Sequence, residues 1–291
     1  MNIIIHGNIS SKKIKFFIKK LLRELIDKYK FTIFISKIFF KFLKKINVNL
    51  SKLKVFKKKN ILKYNLIISI GGDGTLLESI KYIKKIKIPI IGINTGRLGF
   101  LSIISKKNIF KFLKKYFNNK YIIENKILIK MNIDKKKNSY FALNEIAIVK
   151  NYISSMIKIN IFINELFFNS YWSDGLIVST PTGSTGYSLS CGGPVVVFQC
   201  NNLIITPISS HNLFIRSIVI PDKSIINFKI ESRNKKFLIS FDSQSKFLNV
   251  NQSIKISKEK NFIKFIKDKP LNIFDSLRKK LNWGLDNRNK K

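Results

Sequence analysis

Cysteine is nearly absent: Cys191 and Cys200 are the only two in 291 residues, with no C-x-x-C and no Cys/His cluster. That excludes a disulfide framework and argues against structural zinc. The two histidines, His6 and His211, stand far apart and make no ligand set. Acidic residues number 16 against 55 Lys plus Arg, a formal net charge of +39. Arginine is scarce, so almost all of that excess is lysine. A groove built for bases and phosphates would favour Arg forks. Here Lys rises together with Ile, Asn and Phe, all encoded by A/T-rich codons. The charge is therefore read as compositional bias and not as a specific nucleic-acid surface, although it would still attract polyanions such as nucleotides. No apolar run approaches membrane-spanning length, and the one within Met1 to Asn8 is too short for a signal core. A cytoplasmic, reducing compartment with no membrane partner is the expectation. No G-x-x-x-x-G-K-[ST] occurs, which excludes a P-loop enzyme.

With 45% hydrophobic residues, the chain can bury sizeable cores. Its first third alternates strands and helices. Ile3 to His6 reads as a buried strand, Ile14 to Ile26 as a helix with Ser10 or Ser11 as N-cap, and Phe31 to Ile35 as a second strand. Lys41 to Lys63 is ambiguous, a poor helix followed by a loop. Leu66 to Ile70 is a strand that ends in Gly71-Gly72-Asp73-Gly74-Thr75, with helical spacing from Leu76 to Ile86. Ile88 to Ile93 is another strand, ending in Asn94-Thr95-Gly96-Arg97-Leu98-Gly99-Phe100. Strand, glycine loop, helix, strand is the grammar of a parallel sheet. Beyond about Lys120 the texture becomes short β-rich runs: 127–133, 140–149, 156–163, 167–172, 216–219, 225–230, 237–241 and 254–256. These predict a separate antiparallel β-sandwich domain. Phe274 to Trp283 reads as a helix with Leu277, Leu281 and Trp283 on one face.

Three segments carry chemistry. Successive glycines after a buried strand let backbone N–H groups approach an anion, and the following helix start adds a favourable dipole. Gly71, Gly72, Gly74 and Thr75 are thus candidate phosphate contacts. A carboxylate at Asp73 would repel phosphate unless it holds a metal or takes a proton from an incoming hydroxyl. Either role suits phosphoryl transfer. A plain turn with Asp73 capping the helix is the bland alternative, weakened by the three flanking glycines. The second segment, Asn94 to Phe100, lies at another strand end, where Arg97 can meet phosphate and Phe100 can pack on a ring or on core. The third, Asp174 to Pro194, is too dense in hydroxyls and glycines for an ordinary connection and suits a polar, extended ligand.

These blocks, with Asn144-Glu145 and the Pro207 to Pro221 segment, resemble the NAD kinase family in order and approximate spacing from about residue 66 onward. The resemblance implies phosphorylation of the adenosine 2′-hydroxyl of NAD by ATP or another phosphoryl donor, with a divalent metal such as Mg2+ whose ligands the sequence does not name. It implies that Asp73 is the essential carboxylate, as base or metal organiser, with Gly72 and Gly74 close to phosphates. Asn144 and Glu145 would hold the dinucleotide, and Asp174 would accept from the adenine amino group. Thr185, Gly186, Tyr187 and Ser190 would line the pocket, and Phe100 would flank it. Gly186 and Cys191 stand where the family commonly has Ala, the former expected to loosen the loop. The implied architecture is α/β plus all-β: a Rossmann-like parallel domain over 1–120, a β-sandwich NAD-binding domain over 121–262, and a tail over 263–291 whose helix returns to the first domain. A homodimer or homotetramer with its interface on the β-domain is also implied. Lipid kinases share the GGDGT loop but want an apolar acyl pocket, unlike the polar Asp174 to Ser190 segment. A non-catalytic binder would gain nothing from Asp73.

Overall fold

A computed structural model describes residues 1–9, 11–57, 63–82, 88–96, 99–102, 104–134, 139–151, 155–269 and 273–281. The chain forms two compact units, Met1–Asn125 with Ile263–Lys291, and Lys126–Phe262.

The first unit opens with β1 (Asn2–Gly7), then a 3-10 turn (Lys12–Ile14), α1 (Lys15–Arg23) and a widened π turn (Glu24–Lys28). Ser11 does not cap α1; its hydroxyl accepts the N–H of Lys13, inside the 3-10 turn, and Ser10 lies outside the described residues. After β2 (Thr32–Ile35), α2 occupies Lys37–Lys45. This helix starts earlier than the sequence suggested because Ser36 caps it, accepting the Phe39 N–H at 3.2 Å. A short β3 (Leu53–Val55) follows, then β4 (Leu66–Gly71), α3 (Asp73–Ile80), β5 (Ile90–Asn94), β6 (Ile104–Ser105), α4 (Ile109–Phe117) and β7 (Ile122–Lys126). The helices are amphipathic. α2 buries Phe39, Phe42 and Leu43 while Lys37, Lys41, Lys44 and Lys45 face water. α4 buries Ile109, Phe112 and Leu113 in the same way. Each such apolar side chain contributes roughly 1.5–3 kcal/mol on burial, and the lysines keep their charge solvated.

The second unit contains β8 (Ile129–Ile133), β9 (Ser139–Ala142), β10 (Glu145–Val149), β11 (Ile157–Ile163) and β12 (Leu166–Ser179). The expected run 140–149 is broken by a corner at Leu143-Asn144. β12 extends further than expected, taking in Asp174 to Ser179. Of these, Gly175 to Ser179 are the middle of a sheet, paired to β10 on one side and to β13 on the other. A 3-10 turn (Gly183–Thr185) and α5 (Tyr187–Ser190) lead to β13 (Asn202–Ser210), which the sequence reading missed, then β14 (Ile218–Pro221), β15 (Ile226–Glu231), β16 (Lys236–Phe241), β17 (Gln244–Asn249) and β18 (Ile254–Lys258). Eleven antiparallel strands pair in the order β17-β16-β10-β12-β11-β15-β18-β8-β9, with β13 on β12 and β14 on β13. The ladder folds over one core, so that Tyr140 of β9 packs on Phe241 of β16 with ring centroids 5.0 Å apart.

The chain then returns to the first unit through β19 (Ile263–Lys267) and α6 (Ile273–Leu281). The parallel sheet is ordered β3-β2-β1-β4-β5-β19-β7, with β6 on β5. Leu277 of α6 is buried; Trp283 lies outside the described residues.

Candidate active site

Parallel register sets Gly71 beside Asn94, so the loops leaving β4 and β5 start side by side at the C-terminal edge of the sheet. Open parallel sheets bind ligands at this edge, where strand order switches; here β1 lies between β2 and β4. α3 begins at once after Gly72, and its first N–H groups and dipole favour an anion. A Cβ at Gly72 or Gly74 would meet nothing within 4 Å, so there is open space beside both residues. Gly71 and Thr75 do a different job. Gly71 is buried at φ +156°, and a Cβ there would strike Thr75. The Thr75 hydroxyl is turned inward, donating to the carbonyl of Asn8 at 3.4 Å.

The half-buried carboxylate of Asp73 crosses to the neighbouring loop. Its Oδ2 accepts the Phe100 N–H at 2.6 Å, and its Oδ1 accepts those of Leu101 and Ser102 at 3.0 and 2.9 Å. Gly99 makes this approach possible, since a Cβ there would collide with the carboxylate. Of roughly four lone-pair positions on a carboxylate, one remains on Oδ2. The same loop is pinned by Asn94, whose side chain donates to Ser102 O at 3.1 Å and accepts from Gly96 N–H at 2.8 Å. Arg97 lies outside the described residues.

In the second unit, the corner between β9 and β10 presents Asn144 and Glu145. Asp242, in the left-handed turn after β16, accepts the N–H groups of Leu143 and Asn144 at 2.8 and 2.9 Å. The loop after β12 closes on the same corner: Thr180 N–H donates to Asn144 O at 2.9 Å. Gly183 sits so close that a Cβ would overlap the backbone carbonyl of Asn144. Backbone cannot yield as a side-chain tip does. Gly183→Ala should therefore cost about 1–3 kcal/mol, read as a Tm lower by several degrees in thermal unfolding; an unchanged Tm would show that the corner is slack. Glu145 is clamped between this corner and α5, where the Tyr187 N–H bonds its carboxyl group. Burial first, then the charge of Asp242, pushes its pKa up to about 7. Two acceptors here are buried with no hydrogen-bond partner among the described residues, Asn144 Oδ1 and Glu145 Oε2. Orphan acceptors side by side call for donors from a ligand, such as sugar hydroxyls. Asp174 on β12 is paired with Lys150 at 2.6 Å. It also acts on Tyr187, whose phenol burial pushes up, as do Cys191, Asp174 and Glu145.

Two family models cover most of the chain, the ATP-NAD kinase N-terminal domain over residues 3–121 and the ATP-NAD kinase C-terminal domain over 143–267. An NAD kinase of Christiangramia forsetii is 40% identical over 99% of this chain and 100% of its own length. The chain belongs to the ATP-NAD kinase family. An NAD kinase of Cytophaga hutchinsonii is 48% identical over 80% of each chain. Among solved structures, an Archaeoglobus fulgidus NAD kinase in complex with ATP matches at a TM-score of 0.74, with 25% identity over 96% of this chain and 99% of that one. A yeast NADH kinase complexed with NADH shares the fold at a TM-score of 0.91, with 20% identity over 100% and 90%.

Within the family frame, the structure gathers Asn144, Glu145, Asp174, Gly186 and Tyr187 in one unit, and Gly72, Asp73, Gly74 and Phe100 in the other. Thr185 closes the 3-10 turn and Ser190 is an exposed residue ending α5. Gly186 places bare backbone beside Glu145; a methyl there would come 2.9 Å from Glu145 Oε2. Cys191 packs against the small cluster of Ala147, Ile177 and Ile208, and burial pushes its thiol up. Asp242, Lys150 and Lys280 were not singled out from the sequence. Asp242 lies 98 residues from Asn144, and a lone Asp in a strand turn carries no local signal of such a contact.

Proposed function

We propose that the protein transfers a phosphoryl group to the adenosine 2′-hydroxyl of NAD, giving NADP, with ATP as donor. The observation that carries this reading is a half-buried carboxylate, Asp73, set between two glycines with open space beside them at a helix start. Phosphoryl transfer needs positioning and charge stabilisation more than covalent help. Gly72 and Gly74 N–H groups and the α3 dipole take the donor phosphates. The free lone pair of Asp73 Oδ2 accepts the hydroxyl proton as the oxygen bonds the terminal phosphorus and the bond to the departing ADP breaks. Asn144 Oδ1 and Glu145 Oε2 accept from ribose hydroxyls, Asp174 accepts from the adenine amino group, and Tyr187 with Thr185 and Ser190 borders the dinucleotide. Arg97 is assigned to phosphate on its motif alone.

Among the described residues no group of three or more His, Cys, Asp and Glu could hold a metal. We assign a divalent ion such as Mg2+ to the donor's phosphates, which would bring it into the site. When bound it supplies charge neutralisation on those phosphates. The second unit exposes Leu166, Phe167, Trp172, Leu213 and Phe214, which supports a homodimer or homotetramer built on this unit. Two unbridged cysteines support a reducing, cytoplasmic location. Among the described residues no helix is long and apolar enough to cross a membrane.

Incubating the purified protein with NAD, ATP and Mg2+ should yield NADP, seen by coupling to an NADP-specific dehydrogenase. No NADP from NAD with either ATP or polyphosphate would refute the reading.

A further inference from the structure

Lys280 lies on α6, far in sequence from the Gly71–Thr75, Asn94–Phe100 and Asp174–Pro194 segments. Its Nζ is buried and finds no hydrogen-bond acceptor among the described residues. It rests 3.6 Å from the centroid of the Phe100 ring. Phe100 is the residue whose N–H bonds Asp73 Oδ2, so the ammonium stands over the loop that closes on the glycine turn. A buried cation without an acceptor is costly and is retained where an anion completes it. The groups acting on it are few. Asp73 of α3 attracts it, and Lys267 of β19 repels it. Lys267 is itself paired with Glu124 of β7, so that carboxylate is already committed. Asp73 in turn is held by three backbone N–H groups. The uncommitted charge is Lys280. Open space lies beside the backbone of Gly72 and Gly74, where an added Cβ would meet nothing within 4 Å.

We infer that Lys280 contacts the phosphate chain of the phosphoryl donor, its ammonium completing an anion site with the Gly72 and Gly74 amides and offsetting the charge of Asp73. This rests on the kinase reading for its substrate, a nucleoside triphosphate or polyphosphate. A cation above an aromatic face is partly desolvated, which strengthens its bond to phosphate. The alternative is that Lys280 serves only as a cation–π prop for Phe100.

The test compares wild type, Lys280→Met and Lys280→Arg by calorimetric ATP–Mg2+ binding, NAD binding and steady-state NADP formation. Methionine keeps the stem over Phe100 and removes the charge. Lys280→Met should bind ATP roughly 10- to 100-fold more weakly, the worth of one charge-assisted hydrogen bond, with NAD affinity within about twofold. The loss should appear in kcat/KM for ATP, and Lys280→Arg should recover part of it. Equal ATP affinity in wild type and Lys280→Met overturns the inference. So does a parallel fall in ATP affinity, NAD affinity and Tm, which marks a prop. A wild-type measurement stands apart from any folding defect. Burial, opposed by Asp73 and reinforced by Lys267, lowers the Lys280 pKa to about 8. ATP affinity should then fall up to tenfold per unit above that pH; a flat profile from pH 7 to about 9.5 overturns the inference. ATP binding is read without NAD, so a protein that binds ATP through Lys280 yet makes no NADP would sink the kinase reading and leave this one standing.

Discussion

Asp73→Asn should lower turnover roughly a hundred- to ten-thousand-fold, the usual worth of a positioned general base. NAD affinity should stay within a few-fold, because the orphan acceptors assigned to the ribose are Asn144 and Glu145, in the other unit. The structure adds a second consequence. Asparagine has one oxygen where aspartate has two, and Oδ1 already serves Leu101 and Ser102. Its amide would then face the Phe100 N–H, donor against donor, where Asp73 Oδ2 now accepts. The variant should lose about 1–3 kcal/mol of stability, read as a lower urea midpoint, together with its activity. Turnover equal to wild type would remove Asp73 from the chemistry. A loss of turnover with no change in stability would mean that the loop contacts are not needed in the folded protein.

NAD affinity should tighten about tenfold between pH 6 and pH 8 and level off above about pH 7. The cause is Glu145, whose carboxyl burial and Asp242 push up to about 7. Ribose hydroxyls donating to the carboxylate favour its charged form, so its pKa falls on binding and a proton is released. The sign for folding runs the other way. A pKa raised from 4.5 to about 7 contributes stability that is fully present below 4.5 and is lost as pH rises through 7. Binding and folding thus pull this group in opposite directions. Calorimetry in buffers of different ionisation enthalpy reads the proton directly. Glu145→Gln should flatten the pH profile and weaken NAD binding at pH 8 roughly tenfold or more. A pH-dependent profile in that variant would assign the titration elsewhere.

Much of the parallel sheet was legible because its strands are continuous apolar runs such as Leu66 to Ile70, buried on both faces. The glycine turn was legible for the same reason, since it ends such a run abruptly. Two kinds of feature were not. β13 contains Pro207, which pairs opposite Leu176, and proline within a run argues against a strand in local reading. The local pattern ends β12 early because Asp174 and Gly175 look like a turn, although Gly175 is paired on both sides and the Asp174 carbonyl accepts the Lys150 N–H. The site's supporting charges escaped notice for a different reason. Asp242 at the Asn144 corner and Lys280 beside Asp73 are brought there by topology alone, and neither has a neighbour in sequence that hints at its duty. The start of α3 at Asp73 instead of Leu76 belongs to the same class, because its N-terminal glycines have poor helix propensity and the turn is held by the loop after β5.

The parallel sheet has an order of assembly written into it. β7 joins only through β19, which inserts between it and β5 and is translated after all eleven antiparallel strands. During synthesis the β5 edge therefore holds only the short β6, its partner β19 not yet made, while residues 126–262 emerge and pair among themselves. The glycine turn between β4 and α3 can therefore form before β19 and α6, which carries Lys280, are made and join the first unit.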